Sequence, residues 1–196
     1  MSYIFKSKDF VKRAIDIAKN YKTLYILGCF GAPMTDKNKK RYTKNNTYNK
    51  KRADLINAAS TNTFGFDCVC LIKGILWGWS GDISKTYGGA TYQSNGVPDI
   101  GANAMIKKCS DVSTDFSKIL PGEAVWLDGH IGIYIGDGFA VECTPKWDNK
   151  VQISVVSNIF SDATDVKKRK WTKHGKLPWV DYSDAVSVCP LCGRPL

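Results

Sequence analysis

The sequence predicts an α+β protein, with helices first and an antiparallel sheet after them. Two observations carry this. Cys68, Leu71, Ile72, Ile75, Leu76 and Trp79 form one apolar stripe at helical spacing. From Pro121 onward the pattern changes to short apolar runs separated by turn residues. Helical and strand-like runs are segregated along the chain, with no internal repeat, which argues against a βαβ protein.

The elements follow in order. Lys8 to Tyr21 reads as a helix, because Phe10, Val11, Ala14, Ile15 and Ala18 recur on one side and Ser7 can cap its start. Leu24 to Leu27 is a short apolar run ended by Gly28, Gly31 and Pro33, which reads as the entry to a tight loop. The polar, basic stretch from Asp36 to Arg52 is expected to be a solvated loop that passes into a short helix at Asp54, Leu55 and Ile56. Asp67 stands where a carboxylate caps the next helix, and Gly78 and Gly81 end it. Gly88 to Gly101 is a glycine-rich loop with Tyr87, Tyr92 and Gln93 as candidate substrate contacts, and Ala102 to Lys108 is a short helix. Glu123 to Leu127, Ile131 to Ile135, Phe139 to Cys143 and Val151 to Val155 read as successive strands, with a hairpin turn at Gly136-Asp137-Gly138. Leu177 to Val180 is a last extended segment. One domain is expected over residues 1–183, followed by a tail, 184–196, that carries Cys189-Pro190-Leu191-Cys192.

Composition narrows the function classes. Of 196 residues, 43% are hydrophobic and 23% charged, which excludes wholesale disorder. No apolar run approaches the roughly 20 residues that span a bilayer. Met1 to Lys6 shows no secretory signal, so synthesis in the cytoplasm is expected. Seven irregularly spaced cysteines do not suggest a disulfide framework. Lys and Arg total 28 against 18 Asp and Glu, a charge of +10 that favours a polyanionic partner: nucleic acid, anionic lipid or anionic cell wall.

Cys68 stands apart from the other cysteines. At a helix start the dipole and unpaired N–H groups favour thiolate over thiol and make a nucleophile. The alternative is a small buried apolar residue. Cys70 projects from nearly the opposite side of the helix and is expected to pack. The chain has two histidines. His174 lies in a basic run with no carboxylate near it in sequence. His130 opens a strand between Gly129 and Gly132, small residues that let another chain approach, and it is the better candidate base for Cys68.

These residues carry a resemblance. Phe66-Asp67-Cys68-Val69-Cys70-Leu71-Ile72 is similar to the Phe-Asp-Cys-Ser-Gly-Leu-Val segment of the NlpC-type family of papain-like cell-wall cysteine peptidases. His130-Ile131-Gly132-Ile133-Tyr134-Ile135-Gly136-Asp137-Gly138 resembles that family's His-Val-Gly-Ile-Tyr-Ile-Gly-Asn-Gly strand and turn. Tyr25-Ile26-Leu27-Gly28 resembles its Tyr-Val-Trp-Gly, and Pro121 to Trp126 its Pro-Gly-Asp-Leu-Val-Phe. The matches span about Lys8 to Val155. The resemblance implies a papain-like fold in which the Cys helix packs on an antiparallel sheet that carries the His. It implies hydrolysis of an amide bond in peptidoglycan stem peptides, expected at the γ-D-glutamyl to diamino acid bond, by a phage or prophage endolysin-like protein that acts on the wall after release. Val69-Cys70 departs from the family's Ser-Gly. The third catalytic position falls on Glu142, a type also used by related amidases, so an N-acetylmuramoyl-L-alanine amidase is the rival enzyme. A basic nucleic-acid-binding module is the rival of another class, resting on the Lys37–Arg52 and Lys167–Lys176 runs.

On this reading Cys68 attacks, His130 transfers the proton and Glu142 orients the ring. The Cys68 backbone N–H and the Tyr25 hydroxyl stabilise the oxyanion, Asp67 supports the Cys helix, and Trp126 lines the substrate cleft. Glu142 reaches His130 only if the hairpin register allows it. A two-residue Asp137-Gly138 loop would pair Gly136 with Phe139 and Ile133 with Glu142, leaving Glu142 on the face opposite His130. A three-residue loop sets it opposite Gly132, diagonal to His130, and left-handed Gly138 favours that choice. The expected partners are peptidoglycan and anionic wall polymers, without nucleic acid. No cofactor is expected for catalysis. Cys189 and Cys192 resemble one knuckle of a zinc ribbon and are the candidate ligands of a structural zinc, with Cys29, Cys109 or Cys143 to complete the set; a metal-free tail is the alternative.

Overall fold

The computed structural model describes residues 4–160, 167–183 and 185. In chain order the elements are β1 (Phe5–Lys6), α1 (Ser7–Asn20), β2 (Thr23–Tyr25), β3 (Phe30–Pro33), α2 (Asp36–Lys44), α3 (Thr47–Lys50), α4 (Ala53–Ala58), β4 (Phe64–Phe66) and α5 (Cys68–Leu76). Then come α6 (Ala102–Lys108), β5 (Ser110–Ser113), β6 (Ala124–Leu127), β7 (His130–Gly136), β8 (Phe139–Thr144), β9 (Lys150–Val156), β10 (Lys168–Arg169), β11 (Lys173–Lys176) and β12 (Val180–Asp181). The class is α+β. Among the described residues, no helix is long and apolar enough to cross a membrane.

The main sheet has seven strands in the order β10-β9-β8-β7-β6-β11-β5. Its centre, β6 to β9, is an antiparallel meander. The four apolar runs after Pro121 supply these strands. Ile131, Ile133, Ile135, Val141, Cys143 and Val151 are buried in one core with α1 and α5. A smaller core on the sheet holds Phe116, Val125, Tyr134, Ala140, Val156 and Trp171. β1 pairs in parallel with β12 and so joins the two ends of the described chain.

Four expectations differ. Ser7 does not cap α1: Lys6 holds that position, and the Ser7 hydroxyl donates instead to the buried Pro121 carbonyl. The basic segment is helical rather than a loop, because polar residues anchor it. Thr35 caps α2, Asn46 caps α3, and Asn38, Tyr42 and Asn49 are buried. The Cys helix ends at Leu76, capped at Trp77, so Trp79 lies beyond it. Leu24 to Pro33 builds a three-stranded sheet, β2-β4-β3, with Phe64–Phe66. Cys189 and Cys192 lie outside the described residues, as does all of the 184–196 tail except residue 185.

Candidate active site

Cys68 opens α5 because Asp67 caps it. Asp67 Oδ1 accepts from the Cys70 N–H at 2.7 Å, and Oδ2 accepts from the Gly28 N–H at 2.7 Å. One buried carboxylate therefore ties the Cys helix to the loop that follows Tyr25. Asn49, wholly buried, holds the same loop from the other side. It accepts from the Leu27 N–H at 3.0 Å and donates to the Leu27 carbonyl at 2.9 Å. Arg52 donates to the Tyr25 carbonyl at 2.9 Å and lies over the Tyr25 ring. The basic segment thus positions Tyr25, a role that its charge run does not advertise.

Tyr25, Asp67 and Cys68 line a cleft of about 670 Å³, together with Arg41, Lys73, Tyr87, Tyr92, Asp99 and Gly129. Trp126 is not part of this lining. Its indole donates to Asn103 at 3.1 Å, and Lys173 covers its ring, because β6 carries it toward α6 and β11. Cys70 is buried, and burial together with Asp67 raises its thiol.

Burial and the neighbouring Asp67 carboxylate push the Cys68 thiol up to about 12. The backbone N–H groups of Ile131, Val69 and Cys68 act on the sulfur in the opposite sense and do not outweigh them. This corrects the expected thiolate. The helix terminus is there, but desolvation dominates when a charge has little access to water. Burial raises the Tyr25 phenol as well, with Cys68 and Asp67 adding to it, so its O–H stays protonated.

His130 begins β7 and Glu142 lies on β8. His130 Nε2 is 2.7 Å from Glu142 Oε2. The register that joins them is made in an unexpected way. Gly136 pairs with Phe139, leaving a two-residue Asp137-Gly138 turn with both φ angles positive, 48° and 71°. The ladder then shifts between Tyr134 and Gly136, so Ile133 faces Val141. A bulge at Ile135 therefore supplies the extra residue that a three-residue loop would have supplied. Carried one pair further, the register sets Gly132 opposite Glu142.

Glu142 is fully buried and well supplied with donors. Ser154 Oγ donates to Oε1 at 2.6 Å, Arg169 Nε donates to Oε1 at 3.0 Å, and Arg169 Nη2 lies 2.7 Å from Oε2. Burial alone would raise this carboxyl, but the hydrogen bonds from His130 and Arg169 hold it below its ordinary range. His130, Glu142, Ser154 and Arg169 come from the four adjacent strands β7 to β10 and run diagonally across the sheet, each two residues off direct register with the next. Trp171 stacks on His130, with ring centroids 5.5 Å apart and planes 9° apart, and Arg169 lies over Trp171 and Trp147. Gly132 makes room for that stack, since a Cβ there would stand 3.2 Å from the Trp171 ring.

The structure thus brings His130 to Glu142, and Cys68 to Tyr25 and Asp67. His130 and Glu142 are not among the residues that line the Cys68 cleft; what links the two groups is that α5, which Cys68 opens, packs on β7, which His130 opens. No hydrogen bond joins Cys68 to the imidazole among the described residues, and Nδ1 is the ring nitrogen left open. Arg169, Ser154 and Trp171 carry no motif that marks them in the sequence. The one available signal was the Lys-Arg-Lys-Trp run at 168–171, which reads as surface charge.

His174 also departs from expectation. It is 3% exposed, its Nδ1 meets the Glu123 carboxylate, and its Nε2 meets the Asp115 carbonyl at 2.9 Å. Burial lowers its pKa, but the Glu123 and Asp115 hydrogen bonds outweigh this and raise it. β11 brings the ring to Glu123 by inserting between β6 and β5.

Among the described residues, no group of three or more His, Cys, Asp or Glu is arranged to hold a metal. Cys29 and Cys143 are buried as free thiols, and Cys109 is a half-buried one. No family model matches the chain, and no curated protein matches it.

Proposed function

We propose that the chain is a papain-like cysteine hydrolase that cleaves an amide bond in peptidoglycan stem peptides with Cys68, His130 and Glu142. The observation that carries this reading is the 2.7 Å bond from His130 to a fully buried, ionised Glu142, with β7, the strand that His130 opens, packed on the helix that Cys68 opens. The resemblance of the Cys and His segments to the NlpC-type family supplies the substrate class.

The chemistry follows from the charges. Cys68 rests as a thiol, so attack and proton transfer go together. As the sulfur bonds to the scissile carbonyl carbon, its proton passes to His130 Nδ1. Hydrogen bonds of such pairs tighten when substrate binds, which brings the open Nδ1 to the sulfur. Glu142 holds the imidazolium through Nε2. The protonated Tyr25 hydroxyl and the backbone N–H at the start of α5 are the donors available to the oxyanion. Collapse of the tetrahedral intermediate breaks the C–N bond, and the ring proton leaves with the amine. Water, deprotonated by His130, then hydrolyses the thioester and restores the thiol.

The test is digestion of purified sacculi with mass spectrometry of the fragments. A new free amine on the diamino acid supports an endopeptidase, and stem peptides freed at their L-alanine amine show the amidase. Sacculi left intact by the wild-type protein, or cut equally by Cys68→Ala, overturn the proposal.

A further inference from the structure

We propose that Arg41 is a specificity residue which binds a free carboxylate of the substrate in the Cys68 cleft; the inference rests on the hydrolase reading above and names which peptides it accepts. Arg41 lies on α2, inside the basic segment, yet it lines the same cleft as Cys68. Its guanidinium is exposed to solvent, and one Nη donates to the Tyr87 hydroxyl. It also lies over the Tyr87 ring at 5.1 Å and the Tyr42 ring at 5.8 Å. The hydrogen bond to Tyr87 and the two ring contacts restrict a long side chain that would otherwise sample many rotamers.

Arg41 has no carboxylate partner among the described residues. The two carboxylates of the cleft are taken: Asp67 by the Gly28 and Cys70 N–H groups, and Asp99 by Lys73 and the Tyr92 hydroxyl at 2.8 Å. A held guanidinium with donors to spare matches the two oxygens of a carboxylate. Stem peptides present such a group when the α-carboxyl of the γ-linked glutamyl residue is free, and lose it when that carboxyl is amidated.

The experiment measures binding with the Cys68→Ala protein, so it does not depend on turnover. The probes are L-Ala-γ-D-Glu-L-Lys and the same peptide with the glutamyl α-carboxyl amidated, at constant ionic strength. The acid is expected to bind at least about tenfold more tightly than the amide, as for hydrogen bonds to charged groups. Adding Arg41→Gln, which keeps a donor for Tyr87 but removes the charge, is expected to erase the preference. Arg41→Lys is expected to keep part of it. Equal affinity for acid and amide, no binding of either peptide, or a preference that survives Arg41→Gln overturns the inference. Sacculus digestion by the wild-type protein judges the hydrolase reading separately, so the two failures are distinguishable.

Discussion

Replacing Glu142 tests how the His130 site is built, and its effect can be worked from the contacts. Alanine removes the acceptor of His130 Nε2, Ser154 Oγ and both Arg169 contacts at once. It leaves a guanidinium whose side chain is only 13% exposed with no counter-charge from β8. Breaking a buried pair from one side costs about 3–5 kcal/mol. At about 2–4 °C per kcal/mol for a chain of this size, the melting midpoint should fall by roughly 6–20 °C. Turnover should fall by about 10²–10⁴, the usual range for a compromised general base. Glu142→Gln is milder, since its amide oxygen still accepts from His130, but its NH₂ then faces Arg169, donor to donor. Adding Arg169→Met to Glu142→Gln should therefore recover part of the lost melting temperature. The assay is kcat/KM on a soluble stem peptide beside a thermal melt of each variant. Normal kcat/KM in Glu142→Ala, or an unshifted midpoint, would refute the assignment of Glu142 as the buried partner of His130.

Three further predictions follow from the same geometry. Cys68→Ala should abolish hydrolysis while Cys70→Ala largely keeps it, because Cys70 packs inside α5; comparable loss in both would remove Cys68 as the nucleophile. Alkylation of Cys68 by iodoacetamide, followed by peptide mass mapping, should rise about tenfold per pH unit from neutral into the alkaline range, since the thiolate is the reactive form and its pKa is pushed up to about 12. A plateau already reached near neutral pH would instead reveal a preformed thiolate–imidazolium pair. His174 has a folded pKa above its ordinary 6.5, so its contribution to stability is fully present below about 6.5 and is lost as pH rises through the folded value. Denaturant melts from pH 6 upward should show this decline in the wild-type protein and a weaker one in His174→Gln; parallel slopes would show that His174 does not titrate on unfolding.

Local pattern was enough for the elements built on dense apolar runs. The Cys helix, α6 and the strands β6 to β9 were legible because their apolar runs are dense and bounded by turn or capping residues; α5 is buried all round and β7 and β8 on both faces, so run length and punctuation, rather than one-sided alternation, mark them. The Asp67 cap was legible as well, since its partner is three residues away. Basic α2 and α3 were not. They are fastened by buried Asn38 and Asn49, and burial of a polar residue leaves no hydropathy signal. Strand β11, Lys-His-Gly-Lys, has no apolar alternation and exists because β6 and β5 offer it hydrogen bonds from both sides.

The site divides in the same way. Cys68, His130 and Glu142 could be picked as candidates from sequence, but their relation could not. Whether Glu142 faces His130 depends on one extra residue in a hairpin, and the bulge at Ile135 provides it. Desolvation decides whether Cys68 rests as a thiol, and it is set by everything packed around the sulfur rather than by the helix terminus alone. Arg169 reaches Glu142 across 27 positions of chain, Arg52 reaches Tyr25 across 27, and His174 reaches Glu123 across 51. Each looks like surface charge in the sequence. Only folding brings these cations to the groups they serve, because electrostatic partnership depends on distance in space, and residue order carries almost none of that information.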